Sequence, residues 1–196
     1  MPGACSLASH IILHELGGEH KLVRVDGASK RTADGKDYLQ INPNGYVPAL
    51  QLDDGRVLTE GPAILQYLAD THGDKKLAPP CGSFERAKLQ QWLNYIATEL
   101  HKNFGPLFTP AATAAEKQAA VKKLEQRLQS VERQLGETSY LTSGSFSIAD
   151  AYLYVMLRWA PMVNVPLDAF PAIRHYYDRL AQRPSIIAAQ KDESSS

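Results

Sequence analysis

Residues 1–18, "MPGACSLASHIILHELGG", pass from a proline-glycine turn through a cysteine directly into a helix. Leu7, Ile11, Ile12 and Leu16 recur near helical spacing, and Gly17 stands where that helix should stop. The spacing sets Cys5 at a helix mouth, among unpaired N–H donors and the positive end of the helix dipole, which favours a thiolate. An isolated cysteine is more often buried and inert, but the turn ahead of the helix argues for a reactive or ligand-facing thiol. The Ser6 hydroxyl either caps the same helix or donates to a bound sulfur.

Downstream, "KLVRVD" (21–26) alternates as a short strand does, and a polar stretch follows to about residue 40. "VPALQLDDGRVLT" (47–59) reads as a hairpin, with strands at 49–52 and 57–59 around an Asp-Asp-Gly turn. A helix begins after Glu60, with Pro62 in its first turn, where a missing N–H costs nothing, and Ile64, Leu65 and Leu68 on its apolar face. "GDKKLAPPCGS" (73–83) punctuates like a linker. Beyond it the pattern is helical throughout. Residues 84–108 form a long amphipathic helix, and the capping box Thr113–Glu116 opens another that ends near Gly136. Ser147–Asp150 opens "AYLYVMLRWA", apolar almost all round and therefore the buried helix of the second half. Pro161 and Pro166 mark its exit, residues 168–182 form a further helix, and "KDESSS" (191–196) reads as a frayed tail. The reading is an α/β domain at 1–73, a linker at 74–83 and an all-α domain at 84–196.

Composition narrows the function. The chain has 196 residues, 44% hydrophobic and 21% charged, with 21 basic side chains balancing 21 acidic ones. A formal net charge of zero removes the electrostatic case for nucleic acid or an anionic membrane as main partner. No apolar run approaches the ~20 residues of a membrane helix. Two cysteines, Cys5 and Cys81, do not make a disulfide scaffold, so a reducing cytoplasm is expected. Phosphate-cradling loops, dinucleotide fingerprints and nucleophile elbows are absent. His10 and His14 lie one helical turn apart, but a pair without a third ligand is weak evidence of a metal site, and none is expected.

Three further segments carry candidate chemistry. In "NPNGYVPAL" (42–50), a rigid Val47-Pro48 step would leave the Val47 backbone available to an extended ligand if the bond were cis, although trans is the commoner form. In "LTEGPAIL" (58–65), the helix N-terminus suits a carboxylate and Glu60 an ammonium; capping by Thr59 is the simpler account. Asn94, Thr98 and His101 form an uncharged polar stripe at i, i+4 and i+7, opposite Leu93, Ile96, Leu100 and Phe104. Such a stripe is ordinarily a solvated face, yet it lacks the usual Lys and Glu, and His101 can exchange protons near neutral pH.

Together "PGACSLASHI", "NPNGYVPAL", "LTEGPAILQYLAD", "WLNYIATELHK" and "FSIADAYLYVMLRWA" resemble cytosolic glutathione transferases of the bacterial beta class, over essentially the whole chain. The resemblance implies a thioredoxin-like N-terminal domain, an all-α C-terminal bundle and a cytoplasmic homodimer. It implies glutathione as co-substrate, no metal, and conjugation of its thiolate to a small hydrophobic electrophile held between the domains. Carried over by position, Cys5 faces the glutathione sulfur and can form a mixed disulfide with it. Ser6 and His101 attend that sulfur, and Val47, followed by a cis Pro48, pairs with the cysteinyl backbone. Glu60 and the Gly61 N–H hold the γ-glutamyl group, where many relatives have Ser in place of Gly61. Lys30 meets a carboxylate, and Asn94 and Thr98 contact the ligand. Alternatives are thiol–disulfide exchange through Cys5, or a glutathione- or lipophile-binding protein with little turnover.

One departure carries a structural expectation. Family members place a short strand ahead of "PGACS", between the strand at 21–26 and that at 49–52; here Met1 stands where that first strand should have ended. The two remaining strands should then stand about twice the usual ~4.8 Å apart or collapse together, with a weakened or disordered Cys5.

Overall fold

A computed structural model describes residues 1–72, 76–142 and 144–195. The chain divides into two compact units, Met1–Lys76 with Arg183–Ser196, and Leu77–Gln182.

In the first unit, helix α1 spans Leu7–Leu16 and ends as its sequence dictates, with Gly17 at φ 70° donating its N–H to the Leu13 carbonyl. Strands β1 (Ala49–Gln51) and β2 (Val57–Thr59) pair antiparallel with Leu50 opposite Leu58. Their turn places Gly55 at φ 85°, a backbone region that side chains with a Cβ avoid. Helix α2 (Gly61–Thr71) buries Ile64, Leu65, Leu68 and Ala69. Helix α1, whose Leu7, Ile11 and Ile12 are each fully removed from solvent, packs on α2.

Residues 21–26 form no extended strand, contrary to the alternation in the sequence. Only Val25 makes a bridge, to Thr32; the Arg24 carbonyl accepts from Ala33 and the Asp26 N–H donates to Arg31, both at 2.8 Å. The segment therefore pairs with the turn that follows it, a turn that Asp26 ties through Ser29 N–H at 2.7 Å. Among the described residues the sheet has two strands, and 21–26 pairs with neither. Nor is Cys5 disordered: it sits in a hydrogen-bonded turn, with Leu7 N–H on the Ala4 carbonyl at 3.1 Å.

The tail is likewise not frayed. Among the described residues, α8 runs from Pro184 to Ser195 and lies against α1. Arg183 grips Glu15 through two bonds of 2.6 and 2.8 Å, and Ser185 donates to the same carboxylate. Near its end Glu193, 7% exposed, accepts the Gly3 N–H at 2.5 Å and lies 2.7 Å from His10 Nδ1. These ion pairs, together with buried Ile186 and Ala189, are why a segment that reads as polar tail is helical and groups with the first unit. The second domain drawn to residue 196 from the sequence thus loses its last helix. Residues 73–75 of the linker lie outside the described residues.

The second unit begins with Leu77, buried, whose carbonyl accepts the Ile148 N–H at 3.1 Å. Ser83 caps α3 (Phe84–Tyr95) by accepting the Arg86 N–H. A π-helical turn, Ile96–His101, continues α3 into α4 (Lys102–Phe108), so the single long helix expected at 84–108 is interrupted. Helix α5 (Ala114–Glu137) opens on the Thr113–Glu116 capping box, and α6 (Ile148–Met162) on the Ser147–Asp150 box. Helix α6 is buried over nearly its whole length, as its apolar sequence requires, and α7 (Pro171–Ala181) follows.

Asp150 organises this unit. It is fully buried, and its carboxylate accepts from Leu141 N–H (2.9 Å), Ser147 N–H (2.9 Å), Ser147 Oγ (2.6 Å) and Tyr176 OH (2.8 Å). Asp150→Ala leaves all these donors without their acceptor in a dry site. Chemical denaturation should show a loss of about 3 kcal/mol or more, with part of the chain failing to fold at 37 °C.

Candidate active site

The turn before α1 and the loop before β1 bring the first site residues together. Cys5 Sγ donates to the Val47 carbonyl at 3.2 Å, and the Val47-Pro48 bond is cis, in agreement with the resemblance and against the commoner form. The loop is held from beneath by two residues that the sequence reading passed over. Buried Tyr38 OH (2.8 Å) and buried Asn42 Nδ2 (2.7 Å) both donate to the Tyr46 carbonyl, which fixes the residue before Val47. Asn42 carries a faint signal in the sequence, since Asn-Pro-Asn-Gly is turn chemistry; Tyr38 carries none. Lys30, at φ 55°, reaches over the same loop and donates from Nζ to the Gly45 carbonyl at 3.0 Å.

The thiol is not the anion that its helix mouth suggests. Burial pushes the Cys5 pKa up to about 11; the backbone N–H groups of Cys5 and Ser6 pull it down but are outweighed, and the charges of Glu60 and Glu193 add to the rise. The helix-end effect is present and loses to desolvation. Cys5 is therefore neutral at physiological pH and is a hydrogen-bond donor. Ser6 occupies the N-cap position of α1 without capping it through its side chain, so the default role expected for it is not filled.

The other end of this surface is the start of α2. Glu60 is exposed, at φ 69° and ψ 115°, a conformation rare for a residue with a Cβ. Neither Glu60 nor Thr59 caps the helix by a side-chain hydrogen bond. Ala63 and Ile64 N–H donate to the Glu60 carbonyl at 3.0 Å, which leaves the Gly61 N–H at the tip, with Pro62 contributing no donor. A helix end in this state is suited to a carboxylate, and Glu60 beside it to an ammonium.

In the second unit the polar stripe divides. Asn94 and Thr98 are exposed, and Thr98 Oγ1 donates back to the Asn94 carbonyl at 3.0 Å. His101 closes the π turn, and such turns often accompany functional sites. Its Nδ1 lies 2.6 Å from Tyr152 OH and its ring meets Trp159 at 5.0 Å between centroids. Burial lowers the His101 pKa, so the imidazole is neutral at pH 7. Phe104 and Phe108 extend the aromatic surface across Trp159, at 5.6 and 5.2 Å. Tyr152 and Trp159 sit in the apolar run of α6, where nothing in the sequence distinguishes them from core.

Residues 3–71 match the family described as Glutathione S-transferase, N-terminal domain, and residues 95–184 the corresponding C-terminal domain. The chain belongs to the glutathione S-transferase family, a family of transferases. It is 49% identical to Glutathione S-transferase GstA of Escherichia coli O157:H7 over 185 residues, covering 94% of this chain and 92% of that one. Among solved structures it is similar to the ternary complex of BphK, a bacterial GST (52% identity, TM-score 0.97, 98% and 96% of the two chains). It is also similar to a sphingomonad glutathione S-transferase complexed with glutathione (44%, TM-score 0.96, 100% and 97%). A bacterial beta-class enzyme of Sphingomonas chungbukensis matches too (45%, TM-score 0.95, 98% and 96%). No helix is long and apolar enough to cross a membrane among the described residues.

The raised thiol pKa makes a measurable statement. With Cys5 titrating near 11, about one thiol in a thousand is ionised at pH 8. Mass-spectrometric alkylation of the free protein should label exposed Cys81 first, and the Cys5 rate should climb tenfold per pH unit up to pH 10. A plateau below pH 8 would show Cys5 to be a stabilised thiolate. The same burial should cost stability as pH rises from about 9 to about 11, because only the unfolded thiol ionises in that window.

Proposed function

We propose that the protein conjugates glutathione to small hydrophobic electrophiles, as a detoxifying enzyme of the cytoplasm acting as a homodimer. The observation that carries this reading is the mouth of α1. There a neutral thiol donor and the Val47 carbonyl lie 3.2 Å apart beside a cis proline, in a member of a family with glutathione-bound structures.

Glutathione would lie along the 42–48 loop in an extended form, its cysteinyl backbone paired with Val47 against Pro48. Its γ-glutamyl carboxylate would take the Gly61 N–H and its ammonium Glu60, while Lys30 would exchange the Gly45 carbonyl for a carboxylate. The tripeptide sulfur then takes the place of the Val47 carbonyl as acceptor of the Cys5 S–H. Ser6 Oγ, uncommitted to capping, supplies a second donor. Each donor favours the glutathione thiolate over its thiol. The thiolate attacks the electrophilic carbon, a carbon–sulfur bond forms, and the leaving group departs with its electron pair. The sulfur's proton goes to solvent when the thiolate forms.

His101 is assigned to the same sulfur, with Asn94 and Thr98 contacting the tripeptide, as the family resemblance implies. The tautomer in which Tyr152 OH donates to Nδ1 would leave Nε2–H as the donor to that sulfur, so a neutral His101 would work without carrying charge. Glutathione is assigned to the first unit and the electrophile to the helical unit Leu77–Gln182.

Kinetics with glutathione and a nitro-activated aryl chloride, and separately with hydroxyethyl disulfide, test this reading. Conjugation should exceed exchange, since exchange needs a Cys5 thiolate that burial disfavours. Cys5→Ala should abolish exchange and slow conjugation about tenfold, the worth of one donor to a charged sulfur. The conjugation rate should rise with pH along the ionisation of bound glutathione, with no inflection near pH 6.5, because His101 stays neutral there. Glutathione affinity by calorimetry with neither reaction would favour a binding protein instead.

A further inference from the structure

The two histidines of α1 meet a partner that their spacing conceals. His10 and His14 share a helix face but go to different carboxylates of α8, Glu193 and Asp192. His14 Nε2 lies 2.9 Å from Asp192 Oδ2, and the His20 ring stands edge-on to His14, 5.2 Å between centroids and 90° between planes. Each of the three groups offers a ligand atom within 4.8 Å of the others.

We propose that His14, His20 and Asp192 form a binding site for a borderline divalent transition-metal ion such as Ni²⁺, Cu²⁺ or Zn²⁺. Two imidazoles and one carboxylate are the donor set that such ions select over Mg²⁺ and Ca²⁺, which take oxygen. The ligands come from three segments: the last turn of α1, the loop four residues beyond it in which His20 stands, and α8. Bonds of ~2.0–2.1 Å at a tetrahedral ion place ligand atoms roughly 3.3 Å apart, so a pair up to 4.8 Å apart has to close by as much as about 1.5 Å while the 2.9 Å His14–Asp192 contact opens slightly.

The side chain that has to travel is free to do so, for His20 is exposed and on a loop. Its tautomer suits ligation through Nε2. Nδ1 lies 3.1 Å from the Gly18 carbonyl, which can only accept, so Nδ1 carries the proton and Nε2 keeps its lone pair when the ring is neutral. The side chains of His14 and Asp192 are 22% and 45% exposed, which leaves water room to complete the shell. The ion would replace the His14–Asp192 contact and clamp α8 to α1, within a single unit and apart from Cys5, Val47 and Glu60. The site does not depend on the transferase reading.

Calorimetric titration of the full chain with Ni²⁺, without thiols or glutathione in the buffer, tests it. One equivalent should bind, with Co²⁺ giving weak ligand-field bands and no thiolate charge-transfer band, which separates this site from Cys5 and Cys81. His20→Ala removes an exposed ligand whose loss leaves the fold intact by circular dichroism. It should weaken Ni²⁺ by about tenfold or more, as should Asp192→Asn, while His175→Ala leaves binding unchanged. Saturating Ni²⁺ should raise the melting temperature of the unaltered protein by about 5 °C and that of His20→Ala by much less. Wild-type affinity in His20→Ala, a thiolate spectrum with Co²⁺, or no stoichiometric binding would overturn the proposal.

Discussion

The hydrogen bond from the Cys5 thiol to the Val47 carbonyl is the contact on which the candidate site depends. It joins the mouth of α1 to the loop before β1, two segments 42 residues apart in the chain. Burial keeps the sulfur protonated, because it raises the pKa further than the helix end can lower it. A helix N-terminus favours an anion only as far as the anion stays solvated or fully paired. In the function proposed, the same mouth that cannot ionise its own thiol would offer S–H and O–H donors to another sulfur.

The second unit repeats that electrostatic choice with different groups. His101 is buried against Tyr152 and Trp159 and held neutral, with a hydroxyl and not a charge as its hydrogen-bond partner. In the same unit Asp150, whose pKa burial raises, collects four donors from the chain around it, each of which favours the carboxylate. Asp150, Tyr38 and Asn42 thus lie buried with hydrogen-bond partners, and the exposed positive-φ residue Glu60 stands where a helix end is left open. The fold places donors, and the chemistry proposed for it needs donors.

Much of the architecture could be read from the residues because its signals are local. The glycine stop of α1, the Asp-Asp-Gly hairpin and the two capping boxes each act over four or five residues, and each appears where expected. The failures have the opposite character. The 21–26 segment alternates like a strand, but a strand exists only through its neighbour, and here the following turn takes the hydrogen bonds. "KDESSS" has a disordered composition, yet Asp192 and Glu193 meet His14 and His10 on α1, some 180 residues earlier. The π turn at 96–101 left no trace in a periodicity that assumed a regular helix.

By itself the sequence determined α1, the β1–β2 hairpin, α2 and α5–α7, the buried character of α6 and the family, because apolar spacing, caps and motif residues are written along the chain. Only the tertiary structure decided that Cys5 is protonated, that Tyr38 and Asn42 brace the Val47 loop, and that α8 belongs with the first unit. Those facts depend on desolvation and on partners distant in the chain. Neither quantity is a property of a residue and its neighbours, so each comes into being only when the chain has closed on itself.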